Sequence, residues 1–125
     1  MRPEKITVDF LEAFAEAFNR HDVPAILAAM TEDCVFEASG GPEVCGRRYE
    51  GRREVGKAFA EVFETFADAR WRGARHFFIG DRGLSEWTFS GTRADGTRVE
   101  VTGCDVFTFR DGKIAVKNSY RKQRT

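Results

Sequence analysis

The sequence predicts a single α+β domain, residues 1–125, in which three N-terminal helices pack on a curved sheet and enclose one pocket. Two observations predict this class. Apolar residues of the first half recur at helical spacing, and after Asp68 the period changes to two. In the second half, Asp-Gly pairs separate alternating segments, which is the pattern of β-hairpins. Helices followed by a hairpin sheet give an α+β order.

Three helices are predicted in the first half of the chain. The first carries its large apolar residues on one face: Phe10, Leu11, Phe14 and Phe18. The second begins after Asp22, a residue type that caps helix N termini, and Pro24 lies in its first turn, where a missing N–H is harmless. The third spans about residues 52–66 and has its own apolar stripe: Val55, Phe59, Val62, Phe63 and Phe66.

The other segments are predicted to be a turn, a loop and five strands. Residues 31–33 form the turn, residues 34–37 a short strand, and residues 39–51 a loop with four glycines and a proline. A loop of that length suggests a function. Four further strands follow, separated by turns that contain Asp and Gly: residues 69–79, 84–92, 98–109 and 114–122.

Charge and composition exclude several classes of function. Lys plus Arg and Asp plus Glu both number 20, so the basic surplus of nucleic-acid binders is absent and we expect no nucleic-acid partner. No apolar run has the length of a membrane span, and the first five residues do not precede the apolar segment of a secretory signal. The three cysteines form no Cys-x-x-Cys pair, which argues against a disulfide framework. We therefore expect a cytoplasmic protein without a membrane partner.

No metal or cofactor site is predicted. His21 and His76 are the only histidines, and they do not combine with Asp or Glu at metal-ligand spacing. His21 follows the first helix and is expected at the surface, whereas His76 lies in a strand and could reach the pocket. Gly40-Gly41 is too short for a phosphate-binding loop, so no cofactor is expected.

Asp105 breaks the pattern of its strand. The face on which it lies is otherwise apolar: Val99, Val101, Gly103, Phe107 and Phe109. Because this face must look into the core, Asp105 must be paired, hydrogen-bonded or protonated, and such a group can act as a general acid. The alternatives are a structural carboxyl satisfied by a hydroxyl, amide or cation, or a bulge at Gly103 that turns Asp105 outward.

The preceding hairpin decides which residue lies opposite Asp105. If Asp95-Gly96 is a two-residue turn, Glu86 lies opposite Asp105, and the two carboxyls form an acid–base pair in which one holds its proton. A three-residue loop would instead bring Trp87 inward. Because Asp-Gly suits the two-residue turn, Glu86 is the second predicted catalytic residue; the alternative is a Glu86 exposed to solvent.

Two registers are open for the last strand. A two-residue turn at Asp111-Gly112 places four residues on the Asp105 face: Ile114, Val116, Asn118 and Tyr120. A three-residue turn with a glycine bulge places three others there: Lys117, Ser119 and Arg121. Hydrophobicity favours the first register.

Four short segments of the sequence together resemble a known family: Phe18-Asn19-Arg20-His21-Asp22, residues 31–37, Tyr49-Glu50-Gly51-Arg52 and residues 105–114. With the order of elements, they resemble the nuclear transport factor 2-like superfamily over nearly the whole chain, most closely its SnoaL-like branch. The resemblance implies a cystatin-like, cone-shaped α+β barrel with a pocket between sheet and helices, and a homodimer through the outer face of the sheet. Members include isomerases, cyclases, dehydratases, epoxide hydrolases and non-catalytic domains, so the fold fixes little about chemistry.

Position by position, the resemblance does not select one reaction. Asp105 matches the pocket aspartate of ketosteroid isomerases, but Ala38 stands at the place of their base and Phe14 at that of their oxyanion tyrosine. Epoxide hydrolases use an Asp–Arg–Asp set, of which Glu86 matches the first acid; Ser119 replaces the last, which implies that Ser119 faces the pocket. Polyketide cyclases need a pocket acid, and Asp105 or Glu86 could serve.

The remaining pocket residues are expected to be aromatic, with Tyr and Trp at the rim: Phe14, Phe36, Phe59, Phe63, Tyr49 and Trp71. Two hypotheses follow. In the first, the chain is a cofactor-independent isomerase, cyclase, hydrolase or lyase that uses Asp105, helped by Glu86, for proton transfer on a small apolar or aromatic molecule. In the second, it is a non-catalytic domain of the same fold that binds a ligand or dimerises.

Overall fold

A computed structural model of the chain describes residues 6–125. The expectation that the N terminus is not a secretory signal concerns residues 1–5, which lie outside this range. Three helices are present: α1 (Val8–Asn19), α2 (Val23–Ala28) and α3 (Gly51–Thr65). Six strands accompany them: β1 (Met30–Glu37), β2 (Arg48–Glu50), β3 (Arg70–Ile79), β4 (Arg82–Thr92), β5 (Arg98–Arg110) and β6 (Lys113–Arg121).

The strands form one mixed sheet in the order β2-β1-β6-β5-β4-β3. β1 runs parallel to β6, and every other neighbouring pair is antiparallel. The predicted α+β class, with helices packed on a mixed sheet, is confirmed. The sheet is not closed, because β2 and β3 are its two edges. No helix within residues 6–125 has both the length and the apolar character that a membrane span requires.

The helix starts follow local capping chemistry. Thr7 Oγ1 accepts a hydrogen bond from the N–H of Phe10 at 3.1 Å, which begins α1. Asp22 Oδ1 accepts from the N–H of Ala25, also at 3.1 Å, as the sequence predicts for α2. Both bonds satisfy N–H groups that have no partner within the helix.

Two predicted boundaries around the first strand were wrong. Residues 31–33 do not form a turn but belong to β1, because the Ile114 N–H donates to Ala29 O at 2.9 Å and draws this segment in beside β6. The predicted loop 39–51 also contains β2, in which Tyr49 pairs with Phe36. A strand of three residues is too short to show periodicity in the sequence.

The core lies between the helices and the concave inner face of the sheet, which carries Asp105 and Phe107. Phe18 is its centre: its ring lies 5.3 Å from that of Phe14, 5.0 Å from Phe59 and 5.3 Å from Trp71, all in edge-to-face orientation. Offset rings of this kind prefer such contacts. Ten of the twelve phenylalanines therefore belong to the apolar clusters of the interior, whereas Phe77 and Phe78 are exposed.

Candidate functional site

The hairpin between β4 and β5 places Glu86 on the outer face of the sheet. The N–H of Arg93 donates to Thr97 O at 2.9 Å and closes a three-residue loop, in which Gly96 has a φ of 89°. Ser85 therefore pairs with Asp105, and Glu86 pairs with Cys104 and is exposed. The predicted pairing of Glu86 with Asp105 was wrong because the loop is one residue longer than Asp-Gly alone suggests. Trp87 points inward instead.

The hairpin between β5 and β6 combines features of both predicted registers. Its turn is the two-residue Asp111-Gly112, with φ of 55° and 73°, and Arg110 pairs with Lys113. Beyond the turn, however, Phe109 pairs with Ile114 and Thr108 with Val116, so Ala115 is an extra residue in β6. This bulge reverses the faces of the rest of the strand. The residues brought to the Asp105 face are Lys117, Ser119 and Arg121.

Asp105 is buried and its carboxylate has three hydrogen-bond donors. Trp87 Nε1 donates to Oδ2 at 3.0 Å. Lys117 Nζ donates to Oδ1 at 2.9 Å, and Ser119 Oγ donates to the same oxygen at 2.5 Å. The residue is 6% exposed, so these bonds replace nearly all of its hydration. Asp105 is therefore held as expected for a structural carboxyl: its partners are a cation, a hydroxyl group and a ring N–H.

Lys117 is the residue that the sequence analysis did not select. It is 6% exposed, and its Nζ lies 4.8 Å from the ring centroid of Phe18 and 4.9 Å from that of Phe36. The ring of Phe59 is 5.7 Å away. A lysine is rarely buried unless it is paired, so choosing the inward face of β6 by the number of its apolar residues leaves Lys117 on the outward face. The signal that could have found it is the lysine's place in the alternative register, beside Ser119.

A cavity of about 250 Å³ lies between α3, β1 and the inner face of the sheet. Its walls are mainly apolar and include seven aromatic residues. Three polar residues of the lining come from β6, namely Lys117, Ser119 and Arg121, and three come from elsewhere: Ser39, Glu61 and Thr65. Five of the predicted ligand-binding residues line it: Phe36, Tyr49, Phe59, Trp71 and Ser119. Phe18, Phe66 and Trp87 also line it and were not predicted to do so.

Phe14, Phe63 and Asp105 do not line this cavity. Phe14 and Asp105 border a separate space of about 20 Å³, whose wall also includes Lys117 and Trp87. Phe63 stacks on His21, with the ring centroids 4.2 Å apart. Asp105 therefore lies behind Lys117 and Ser119, which separate it from the larger cavity.

Neither histidine reaches the larger cavity. His21 is half-buried rather than at the surface, and its Nε2 lies 2.9 Å from Ala69 O. The His76 side chain is 2% exposed; its Nδ1 is 2.7 Å from Ser85 Oγ, and its Nε2 is 2.9 Å from Glu12 Oε2. Within residues 6–125, no group of three His, Cys, Asp or Glu side chains is arranged to hold a metal ion.

Arg121 forms part of the cavity mouth. Its guanidinium carbon lies 4.6 Å from the ring centroid of Phe89, and its Nε donates to Ser39 Oγ at 3.3 Å. Burial lowers the pKa of Arg121, and the positive charge of Arg93 lowers it further, whereas Asp105 raises it. The cavity therefore has mainly apolar walls, cationic groups along β6 and one carboxylate, Glu61, on α3.

Most of the chain matches the model of a known protein family. Residues 11–117 match the model of a protein family described as SnoaL-like domain. A search of curated protein sequences found no match.

Solved structures share the fold over nearly the full length. A protein from Xanthomonas campestris pv. campestris, described as a "putative polyketide cyclase", is 25% identical, with a TM-score of 0.80, covering 91% of this chain and 88% of its own. A protein of unknown function from Xanthomonas campestris, with a cystatin-like fold, is 19% identical, with a TM-score of 0.82, covering 95% and 92%. TerC co-crystallised with polyporic acid is 22% identical, with a TM-score of 0.76, covering 92% and 90%.

Proposed function

The chain belongs to the SnoaL-like domain family, and we propose that it binds a small apolar or aromatic molecule in the 250 Å³ cavity, with an uncharged oxygen of that molecule facing Lys117. One observation carries the proposal: a buried ammonium group, in contact with aromatic rings, lies in the wall of a mainly apolar cavity. A purely structural core does not need a lysine at that position, because an apolar residue of similar size avoids the cost of desolvating the charge.

Lys117 has hydrogen-bonding capacity left for a ligand. An ammonium group carries three N–H donors, and two of them serve Asp105 and Ser119, at 2.9 and 2.8 Å. The third can meet a carbonyl or hydroxyl oxygen in the cavity. Asp105 already neutralises the positive charge, so an uncharged oxygen suits this inner end better than a second carboxylate.

The size and walls of the cavity favour a small, flat ligand. Drug-sized ligands occupy pockets of about 300–1,000 Å³, so a cavity of about 250 Å³ fits a molecule with one or two rings. Phe36 and Tyr49 stack at 5.7 Å along β1 and β2, and Phe59 faces them from α3. An aromatic ligand would add further ring contacts of the same kind.

The binding proposal is tested with 2-tetralone, an aromatic ketone without charge, by NMR titration. The variant D105N/K117M removes the ion pair as a unit, and Lys113→Met, an exposed lysine of the same strand, is the matched control. A hydrogen bond to a charged group contributes about 1.5–3 kcal/mol, so the double variant should bind roughly tenfold or more weakly. Equal affinity of wild type and double variant would refute the role of Lys117, and no binding to any form would refute the function.

A second candidate function is proton transfer on the bound molecule, without a cofactor. The ammonium group that donates a hydrogen bond to a carbonyl oxygen of the ligand would also stabilise the enolate formed from that carbonyl. The structure described as "putative polyketide cyclase", at 25% identity, supports this chemistry. Asp105 has no direct access to the cavity, but Ser119 lines it and donates to Asp105 at 2.5 Å. A proton leaving the ligand would pass to Ser119 Oγ while the Ser119 proton moves to Asp105.

Exchange of the α-protons of 2-tetralone in D₂O separates catalysis from binding. If the chain is an enzyme of this kind, ¹H NMR should show faster exchange with wild type than with Ser119→Ala, whereas both bind the ketone with similar affinity. If the exchange rate with wild type equals the rate in buffer alone, proton transfer is refuted and the non-catalytic binding function remains.

A further inference from the structure

Two guanidinium groups that form no ion pair within residues 6–125 lie at the mouth of the cavity and beside it. Arg121 lies on the inner face of β6, Arg93 directly follows β4, and both line a groove of about 810 Å³ that adjoins the cavity. Arg121 and Ser39 border the groove and the cavity at once. We call this pair, Arg93 and Arg121, the cationic mouth.

Aromatic contacts hold both groups of the cationic mouth in place. The guanidinium carbon of Arg93 lies 5.2 Å from the ring centroid of Phe66, and that of Arg121 lies 4.6 Å from that of Phe89. The two rings are themselves 5.2 Å apart, edge to face. Both cations are therefore fixed side by side, above a patch that continues into the cavity wall through Phe66.

Three of the neighbouring carboxylates have other partners. Asp68 pairs with Arg98 at 3.3 Å, Glu100 pairs with Arg72, and Asp105 pairs with Lys117. In residues 6–125, neither Arg93 nor Arg121 forms an ion pair with a carboxylate. Two other neighbouring carboxylates are without an ion pair in the same range: Glu61, which lines the cavity from α3, and Asp95. Hydrogen bonds from Thr97 lower the pKa of Asp95, and the positive charge of Arg93 lowers it further, so Asp95 attracts Arg93 without contacting it. Two adjacent cations that have no carboxylate in ion-pair contact favour a bound anion.

We infer that the ligand carries an anionic group, such as a carboxylate, at the end that faces the solvent, and that the cationic mouth binds this group. The inference rests on the proposed function, because it concerns the same cavity. The two ends of the site then bind different groups of the ligand. Lys117, neutralised by Asp105, donates to an uncharged oxygen, and the cationic mouth binds the anionic group. An anion at the mouth also keeps part of its hydration, which lowers the cost of binding it. The ligand class is a small aromatic acid with a second, uncharged oxygen.

The inference is tested with two probes of the same shape, 2-naphthoate and 2-naphthamide, by isothermal titration calorimetry. Charge-assisted hydrogen bonds are about twice as strong as neutral ones, so wild type should bind the carboxylate roughly tenfold more tightly than the amide. R93Q/R121Q should abolish this preference. Arg93→Gln alone, which leaves the cavity wall intact, should reduce the preference in part.

Arg98→Gln is the matched control, because Arg98 lines the same groove but is paired with Asp68. It should keep the full preference for the carboxylate. Equal binding of both probes by wild type would overturn the inference and leave the proposed function intact. A preference that survives in R93Q/R121Q but is lost in D105N/K117M would place the anion at Lys117 and also overturn it. Binding of neither probe would count against the proposed function itself.

Discussion

Lys117 is buried together with its counterion, and this pairing determines the effect of substituting either residue. The ammonium group gains attraction from Asp105 at 2.9 Å and from three aromatic rings, which offsets its desolvation. If only one partner is removed, the other remains buried with an uncompensated charge. The pair therefore acts as a unit in stability as well as in ligand binding.

A double-mutant cycle at these two residues should show strong coupling. Lys117→Met leaves the Asp105 carboxylate without its cation, and we expect a loss of about 3–5 kcal/mol in the free energy of unfolding. D105N/K117M removes both charges and should be considerably more stable than Lys117→Met alone. Urea unfolding followed by tryptophan fluorescence measures the four forms of the cycle: wild type, Asp105→Asn, Lys117→Met and D105N/K117M. Additive losses would show that the two groups are not coupled, contrary to the geometry.

At the level of elements, two irregularities in the hairpins decide which side chains meet in the site. The three-residue loop after β4 turns Trp87 inward and Glu86 outward. The extra residue Ala115 in β6 brings Lys117 inward. A shift of one residue exchanges the two faces of a strand, so each irregularity changes the whole composition of the site.

Gly103 is required where these strands cross the site. A Cβ at this position would lie 2.3 Å from the carbonyl oxygen of Tyr120 and 2.7 Å from the ring of Trp87. Gly103→Ala should therefore destabilise the fold by about 1–3 kcal/mol and displace Trp87 from Asp105. Thermal unfolding and the tryptophan emission spectrum measure the two effects. Gly40→Ala, whose Cβ would meet no atom within 4 Å, should leave both unchanged. Similar behaviour of the two variants would contradict the packing described for Gly103.

The same irregularities mark the limit of what the sequence predicts. Apolar spacing predicted the helices, and the alternation around Asp105 predicted that its side chain faces inward. Each of these patterns can be recognised within a single segment of the chain. The partners of Asp105 depend on loop length and on a bulge, for which Asp-Gly allows several solutions of similar energy. Hydrophobicity then favoured the wrong face of β6, because a buried lysine is stable only once Asp105 and Ser119 are beside it.

At the scale of the whole molecule, the outer face of the sheet remains partly apolar and unpacked. Phe77 is 48% exposed and Tyr120 is 54% exposed, and Leu84 and Val106 lie half-buried beside them. Patches of this kind on a sheet commonly bind another protein surface. The homodimer that the sequence analysis expects would cover this face, on the side opposite to the cavity.

F77E/Y120E tests the homodimer without touching the site. Two carboxylates on each apolar face would have to be desolvated in the interface, so the variant should be monomeric where wild type is dimeric, as measured by sedimentation velocity. Its affinity for 2-tetralone should be unchanged, because both residues lie on the outer face. Val44→Glu, in the loop before β2 and also exposed, should leave the dimer intact.

Cys104 gives an independent probe of the same face. It pairs with Tyr120 across the strands, and burial raises the pKa of its thiol, as do the charges of Asp105 and Glu86. The thiolate is the reactive form, so alkylation at neutral pH should already be slow in the monomer. If the outer face is the dimer interface, alkylation of Cys104 should slow further as the protein concentration rises, but not in F77E/Y120E. A rate independent of concentration, together with a monomeric wild type, would mean that this face has no second copy of the chain as its partner.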